Sequence, residues 1–196
     1  NEKASTIADL RPIISAKLPV EDPVLWNGRK NPYLYTVRCE IFDSTTEEVT
    51  DNIDIRTGLR EYHIDSHKGF FLNGEHIKLQ GVSRHQDREN MGNAITEKQH
   101  AEDVKIILDV GANSVRLAHY QQNSYFYDLC DESGLLVWAE VPVISRFSPK
   151  RNENAEQQLV ELIKQNYNHP SIFCWGIENE ITIAGSASKK LITFLK

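Results

Sequence analysis

The sequence has no apolar run near the ~20 residues that cross a bilayer, and its first ten residues, NEKASTIADL, carry neither the basic start nor the apolar stretch of a secretory signal. A membrane partner is therefore not expected. Cysteine is scarce: the three residues, Cys39, Cys130 and Cys174, are odd in number, far apart and outside any C-x-x-C spacing. Neither a disulfide framework nor a zinc site is suggested. They read as reduced core thiols and favour the cytoplasm, although a precursor whose leader had been removed would look the same. Positive charge is in deficit, with Lys plus Arg 22 against Asp plus Glu 28 and a net charge of -6. Such a chain has no broad attraction for phosphate backbones, so nucleic acid is not an expected partner. No G-x-G-x-x-G follows the first strand of the α/β region, which removes support for dinucleotide binding. Internal repeats and low-complexity tracts are also lacking.

What is present is an ordinary globular composition, 40% hydrophobic and 26% charged over 196 residues, enough to bury a core. The apolar periodicity changes character near residue 73. Before it the chain reads as short strands. Tyr33–Phe42 is rich in aromatic and β-branched residues, and Val49–Arg56 alternates Val49, Ile53 and Ile55 with polar neighbours, as a strand with one face in a core would. Glu61–Asp65 continues the style. A complete immunoglobulin-like domain needs about seven strands and ~100 residues, so residues 1–68 are expected to be a partial β-sandwich without its beginning.

After residue 73 strands and helices alternate. Ile77–Val82 reads as a strand. Thr96 and Gln99 have the spacing of a capping box opening a helix whose buried stripe is Ala101, Val104, Ile107 and Leu108, ended by Gly111. Ser114–Ala118 is a second strand, and a helix from about Ser124 buries Phe126, Leu129 and Cys130 and stops at Gly134. Leu135–Val141 is a strand apolar enough to be covered on both faces. Asn154–Tyr167 places Ala155, Leu159, Leu162 and Ile163 at helical spacing, Ser171–Ile177 is a fourth strand, and a last helix begins near Ser186. Consecutive βα units with short loops imply a parallel sheet with right-handed crossovers. A (β/α)8 barrel needs ~250 residues, so residues 69–196 suffice for its first half. The fold class expected is thus α/β: the first half of a TIM barrel preceded by part of an immunoglobulin-like sandwich.

Groups that do chemistry in parallel α/β folds collect at the carboxyl ends of the strands. Here the first strand ends in Arg84, His85 and Asp87, the second carries Arg116 and ends at His119, the third ends at Glu140 and the fourth at Asn179 and Glu180. Arg116 lies inside an apolar strand, where an unpaired charge is costly, so a carboxylate partner is expected. Glu140 could be that partner or could meet substrate. Glu178, one residue before Asn179, is expected on the opposite side and solvated. Trp138 and Trp175 read as core rather than sugar platforms. Glu180 has the strongest case. An acid that protonates a leaving oxygen near neutral pH works best where burial or a like-charged neighbour keeps it protonated, and the end of an interior strand supplies both. Asn179 beside it could bond a substrate hydroxyl. A second carboxylate some 5 Å away would define a retaining glycosidase, with Asp87 and Glu140 as candidates on position alone.

At these residues the sequence resembles glycoside hydrolase family 2, which contains β-galactosidases, β-glucuronidases and β-mannosidases. The resemblance rests on Gly69-Phe70-Phe71-Leu72-Asn73-Gly74, then Leu79-Gln80-Gly81-Val82-Ser83-Arg84-His85-Gln86-Asp87, then Gly111-Ala112-Asn113-Ser114-Val115-Arg116-Leu117-Ala118-His119-Tyr120. It continues through Asp128–Glu140 and from Asn168-His169-Pro170-Ser171-Ile172 to Trp175-Gly176-Ile177-Glu178-Asn179-Glu180. Upstream, Asn31-Pro32-Tyr33-Leu34-Tyr35 and Gly58-Leu59-Arg60 look like the end of the family's immunoglobulin-like domain.

The resemblance implies that Glu180 is the general acid/base, that Asn179 contacts the sugar's 2-hydroxyl, that His119 and His85 line the sugar subsite, and that Arg116 stands near the carboxylates. The family's nucleophile is a glutamate on a later strand, past Lys196. A magnesium site of the kind found in some galactosidases is not expected, because the corresponding place reads Ile144-Ser145-Arg146, without oxygen or imidazole ligands of the right kind. No cofactor is expected. The implied activity is retaining hydrolysis of terminal β-D-galactosides, with a β-glucuronidase, a β-mannosidase or a non-catalytic carbohydrate-binding module as alternatives. The isolated chain, without a nucleophile, should be nearly inactive. A carbohydrate is the expected partner, and the open edges of half a barrel leave homo-oligomerisation open.

Overall fold

The computed structural model describes residues 16–145 and 152–181. Chain order is β1 (Tyr35–Phe42), β2 (Val49–Thr57), β3 (Tyr62–Asp65), β4 (Gly69–Leu72), β5 (Glu75–Ile77), β6 (Gly81–Arg84), α1 (Glu97–Asp109), β7 (Ser114–Leu117), α2 (Ser124–Ser133), β8 (Leu136–Glu140), α3 (Asn152–Asn166) and β9 (Ile172–Gly176). β1 and β2 form an antiparallel pair, β3, β4 and β5 a three-stranded sheet, and β6 to β9 a four-stranded sheet in sequence order. All neighbours in that last sheet are parallel. This is the partial barrel preceded by sandwich strands that the alternation of elements implies. The helix expected from Ser186 lies outside the described residues.

Local chemistry sets the helix ends. The Thr96–Gln99 capping box opens α1, the Asn123 side chain accepts from the Tyr125 N–H to open α2, and Gly134 ends α2 at φ 73°. In the parallel sheet, side chains alternate between two environments. Val115, Leu117, Val137, Ala139, Val141 and Ile172 face the helices and share a core with Val104, Ile107, Phe126, Cys130, Leu159 and Leu162. On α1 the buried stripe is His100, Val104 and Ile107, while Ala101 is exposed. His100 is buried because it meets Arg84, a contact no apolar pattern reveals.

The second core contains Trp26, Phe70, Leu72 and Leu136, with Leu34, Ile77 and Phe173 against it. Leu136 and Phe173 stand at the amino ends of β8 and β9, so the β4–β5 hairpin closes that end of the sheet and leaves the carboxyl end open. The hairpin turns at Asn73 and Gly74, both at positive φ, 49° and 79°, the conformation that favours an Asn-Gly pair. Asn73 also donates to the Trp26 carbonyl and accepts from the Glu61 N–H.

The strand expected over Ile77–Val82 is divided. Ile77 ends β5, and the barrel strand begins at Gly81. Between them the Asn113 side chain accepts from Gln80 N and donates to the Lys78 carbonyl. The chain changes there from an antiparallel to a parallel partner, and a side-chain amide satisfies backbone groups that a ladder would otherwise pair. β3, read from sequence as a sandwich strand, pairs with β4.

The β1–β2 pair joins the barrel through polar contacts. Arg60 donates to the carbonyls of Pro170 and Ile172 at 2.5 Å each, Thr57 Oγ1 donates to the Asn168 carbonyl, and Arg56 pairs with Glu132. Its apolar side chains Ile41, Phe42, Val49 and Ile53 are exposed among the described residues. Cys39 on β1 is also exposed, whereas Cys130 is a core thiol and Cys174 is half-buried.

Candidate active site

The carboxyl ends of β7, β8 and β9 hold one polar cluster centred on Arg116. Its Nε donates to Glu140 Oε1 at 2.5 Å and its Nη2 donates to Asn179 Oδ1 at 2.7 Å. His119 Nδ1 lies 2.7 Å from Glu140 Oε2 and 3.3 Å from Arg116 Nη2. The carboxylate expected for Arg116 is therefore Glu140, whose side chain is 1% exposed and has both oxygens engaged. Burial of this ion pair is costly in isolation, and the added imidazole and amide bonds offset that cost.

The sequence places these groups by strand periodicity. Arg116 alternates with Val115 and Leu117, which enter the helix-facing core, so its side chain emerges on the opposite face. On β8, Trp138 and Glu140 share that face by the same count. Trp138 is 39% exposed, and the Arg116 guanidinium lies 5.6 Å from its ring centroid. The expectation of a core tryptophan is thus corrected for Trp138; its signal was the two-residue spacing from Glu140. Trp175, by contrast, packs against the helix-facing core. Ser83, Arg116, Trp138 and Phe173 are among the residues lining a cavity of about 260 Å³ on this face.

Beyond β8 and β9 the ladder continues as an isolated parallel bridge between Ile144 and Asn179. Asn179 N donates to the Val143 carbonyl and Ser145 N donates to that of Asn179. These bonds hold Asn179 where its amide meets Arg116. Glu180 follows at φ 53° and is exposed, without a hydrogen bond or ion pair among the described residues. The burial expected around its carboxylate is absent, since the inner face of a four-stranded sheet has no opposing wall among those residues. Glu178 is half-buried and engaged rather than solvated.

His85 joins the cluster from β6: its ring centroid is 5.3 Å from that of His119, edge-on, and 6.0 Å from that of Tyr120. Tyr120, which sequence reasoning did not single out, accepts from the Gln86 N–H through its hydroxyl and so holds the segment after His85. Asp87 is exposed. Arg84 belongs elsewhere. Its guanidinium is buried on the helix side, bonded to Asp103, Gln122 and His100 and stacked over Phe126. Beside the cluster, burial and the negative charge of Glu140 push the Cys174 thiol pKa upward, which disfavours a nucleophilic thiolate.

For a metal, the described residues offer Asp128, Asp131 and His169, whose ligand atoms lie within 4.8 Å of one another. These groups already have protein partners: Asp131 accepts from His169 and from Ser171 N, and Asp128 faces Arg56. The group acts as a clamp between α2 and the approach to β9. Arg146, part of the segment that departs from the magnesium pattern, is outside the described residues.

A parallel sheet with helices on one face and a convergent arginine, carboxylate, imidazole and amide at its strand ends defines half of a barrel-type enzyme site. Comparison with known proteins names the class. The profile described as "Glycosyl hydrolases family 2, TIM barrel domain" matches residues 64–196, and that described as "Glycosyl hydrolases family 2" matches residues 1–60. The chain belongs to glycoside hydrolase family 2.

A β-glucuronidase of Bacteroides fragilis is 44% identical over 177 residues, covering 86% of this chain and 25% of that protein. A β-galactosidase of Thermoanaerobacter pseudethanolicus is 34% identical over 179 residues, covering 89% of this chain and 24% of that one. Among solved structures, an FMN-binding β-glucuronidase from Facaelibacterium prausnitzii superposes with a TM-score of 0.84 at 45% identity, over 90% of this chain and 28% of that one. The chain spans about a quarter of the length of the curated relatives it matches.

Proposed function

We propose that the intact protein is a retaining exo-β-glycosidase and that this chain supplies its general acid/base and part of the subsite for the terminal sugar. The observation that carries the reading is the Arg116–Glu140–His119–Asn179 cluster at the strand ends, with Glu180 next in the chain. Asn179 and His119 present hydrogen-bonding groups suited to sugar hydroxyls, and His85 stands beside them. Glu180 protonates the glycosidic oxygen as it leaves and then takes a proton from the water that releases the sugar. Glu140 is spent on Arg116 and His119, so it is not the second carboxylate. Asp87 is a poor candidate in the open. The nucleophile is the glutamate that the family carries on a later barrel strand, and the chain alone is inactive for want of it. The proposed division is a sandwich portion over residues 1–68 and a barrel portion over 69–196.

The substrate class is a terminal β-D-glucuronide or β-D-galactoside. Galactosides come first from the motifs; the similar proteins include ones named β-glucuronidase and ones named β-galactosidase, so glucuronides stand as an equal alternative. The test is hydrolysis of p-nitrophenyl β-D-galactoside, β-D-glucuronide and β-D-mannoside by the full-length protein. Release of nitrophenol from one of them with retention of anomeric configuration supports the reading. No hydrolysis, together with tight sugar binding by this chain alone, would favour a carbohydrate-binding module instead.

A further inference from the structure

We infer that Glu140 is a positioning residue that holds His119 in one tautomer, with the proton on Nδ1, so that the ring offers Nε2 to a sugar hydroxyl as a hydrogen-bond acceptor. The inference rests on the glycosidase reading and gives the subsite a defined donor and acceptor pattern.

A guanidinium can only donate. Because Arg116 Nε donates to Glu140 Oε1 and its Nη2 to an Asn179 side-chain atom, that atom is the amide oxygen. The Asn179 NH2 makes no hydrogen bond among the described residues and is a donor. His119 Nδ1 faces two groups with opposite demands: a carboxylate oxygen at 2.7 Å, which needs a proton from the ring, and Arg116 Nη2 at 3.3 Å, which would give one. Arg116 Nη2 uses one of its two N–H groups on Asn179 at 2.7 Å, and of the two contacts to Nδ1 the shorter is to the carboxylate. A charged acceptor at that distance makes the stronger bond. Nδ1 is therefore the protonated nitrogen of the neutral ring, and Nε2 carries the lone pair. Nε2 has no hydrogen bond among the described residues. The Arg116–Glu140 ion pair thus sets the polarity of two groups that face the open side of the sheet: the guanidinium leaves a donor on Asn179, and the anion, 1% exposed, leaves an acceptor on His119. A sugar hydroxyl, which donates and accepts at once, fits between such groups, and a hydroxyl bound by His119 must be the donor in that bond.

The test uses the full-length enzyme and the aryl β-glycoside it hydrolyses, together with analogues in which each sugar hydroxyl in turn is replaced by hydrogen or by fluorine. Fluorine can accept but cannot donate. The hydroxyl met by His119 is the one whose removal no longer matters in His119→Phe. At that position the wild-type enzyme should treat the fluoro and deoxy analogues alike relative to the other positions, both about tenfold or more below the parent sugar in kcat/KM.

Glu140→Gln preserves the oxygen that binds Arg116 but turns an N–H toward Nδ1, which moves the ring proton to Nε2. The fluoro analogue should then gain about twofold or more on the deoxy analogue at that one position, since carbon-bound fluorine is a weak acceptor. Intrinsic effects of fluorine on bond cleavage cancel in this comparison of two enzymes. A fluoro-to-deoxy ratio that is the same in both enzymes would overturn the inference, as would a change at every position.

If Glu140→Gln does not fold, the tautomer is read directly in wild-type enzyme labelled with 15N-histidine, the His119 signal being the one missing from His119→Gln. An unprotonated Nε2 beside a protonated Nδ1 supports the assignment, and a protonated Nε2 refutes it. This spectrum decides the tautomer even if no glycoside is cleaved, so failure of the glycosidase reading is separable from failure of the inference.

Discussion

Gly176 lies so close to Trp138 that a Cβ at residue 176 would stand 2.3 Å from the indole Nε1 and 2.6 Å from Glu140 Cγ. The last residue of β9 therefore holds two inner-face groups of β8 in place by having no side chain. Gly176→Ala forces Trp138 or Glu140 to move. Its expected cost is roughly 1–3 kcal/mol of stability, as for other overpacked sites, with a loss of kcat/KM because Glu140 carries Arg116 and His119. Thermal unfolding and glycosidase kinetics of the full-length variant check both parts.

Asp131 is the second point of concentrated structure. Its carboxylate, 3% exposed, accepts from His169 Nδ1 and Ser171 N, and its main-chain carbonyl accepts from Trp26 Nε1. Asp131→Ala leaves the imidazole and the amide without their acceptor, and a loss of about 1–3 kcal/mol is expected. His169→Gln, which keeps a donor near the carboxylate, should cost less. Urea unfolding of the two variants measures the difference.

Arg60 ties the sandwich portion to the barrel by its bonds to the carbonyls of Pro170 and Ile172. Arg60→Met keeps the apolar stem and removes both donors. The expected loss is about 1–3 kcal/mol, together with faster proteolytic cleavage near residues 57–62. Unchanged digestion kinetics would show that the two portions do not depend on this residue.

Much of this architecture can be read from residue order alone, for physical reasons. Ala155, Leu159 and Leu162 repeat at helical spacing and are buried on α3; the Thr96–Gln99 pair is a capping box because its side chains are the right length for it. What periodicity could not carry is whatever depends on a specific partner. His100 replaces Ala101 on the buried face of α1 because Arg84 arrives from another strand. Ile77–Val82 looks continuous until Asn113, some 30 residues on, pins its middle.

For the candidate site, the strand-end rule singled out Arg116, His119, Glu140 and Asn179, which do converge. The rule says nothing about exposure, which depends on the wall opposite. Glu180, expected to be buried, is exposed, and Trp138, expected in the core, faces the open side of the sheet.

Acid should weaken the fold through His100. Burial and the adjacent Arg84 guanidinium hold its imidazole pKa below the ordinary value of 6.5. In the unfolded chain the ring takes up a proton at about pH 6.5; in the folded protein it resists until lower pH. The unfolded state binds more protons in that interval, so stability is complete above about pH 6.5 and declines as pH falls through the window down to the folded pKa. His100→Gln, which retains an acceptor for Arg84 and does not titrate, should flatten that part of the profile. Melting temperatures of the two proteins between pH 7 and pH 5 provide the check.

The central claim is that Glu180 gives its proton to the leaving oxygen, and the most direct measurement is the dependence of hydrolysis on leaving group in full-length Glu180→Gln. General acid catalysis contributes roughly 10²–10⁴-fold. An alkyl or disaccharide β-glycoside, whose departing oxygen needs the proton, should lose activity on that scale, whereas a dinitrophenyl glycoside, which leaves unaided, should form the glycosyl-enzyme at a nearly normal rate. An equal loss for both substrates, or no loss for either, would contradict the role assigned to Glu180 and the placing of the acid at the end of β9.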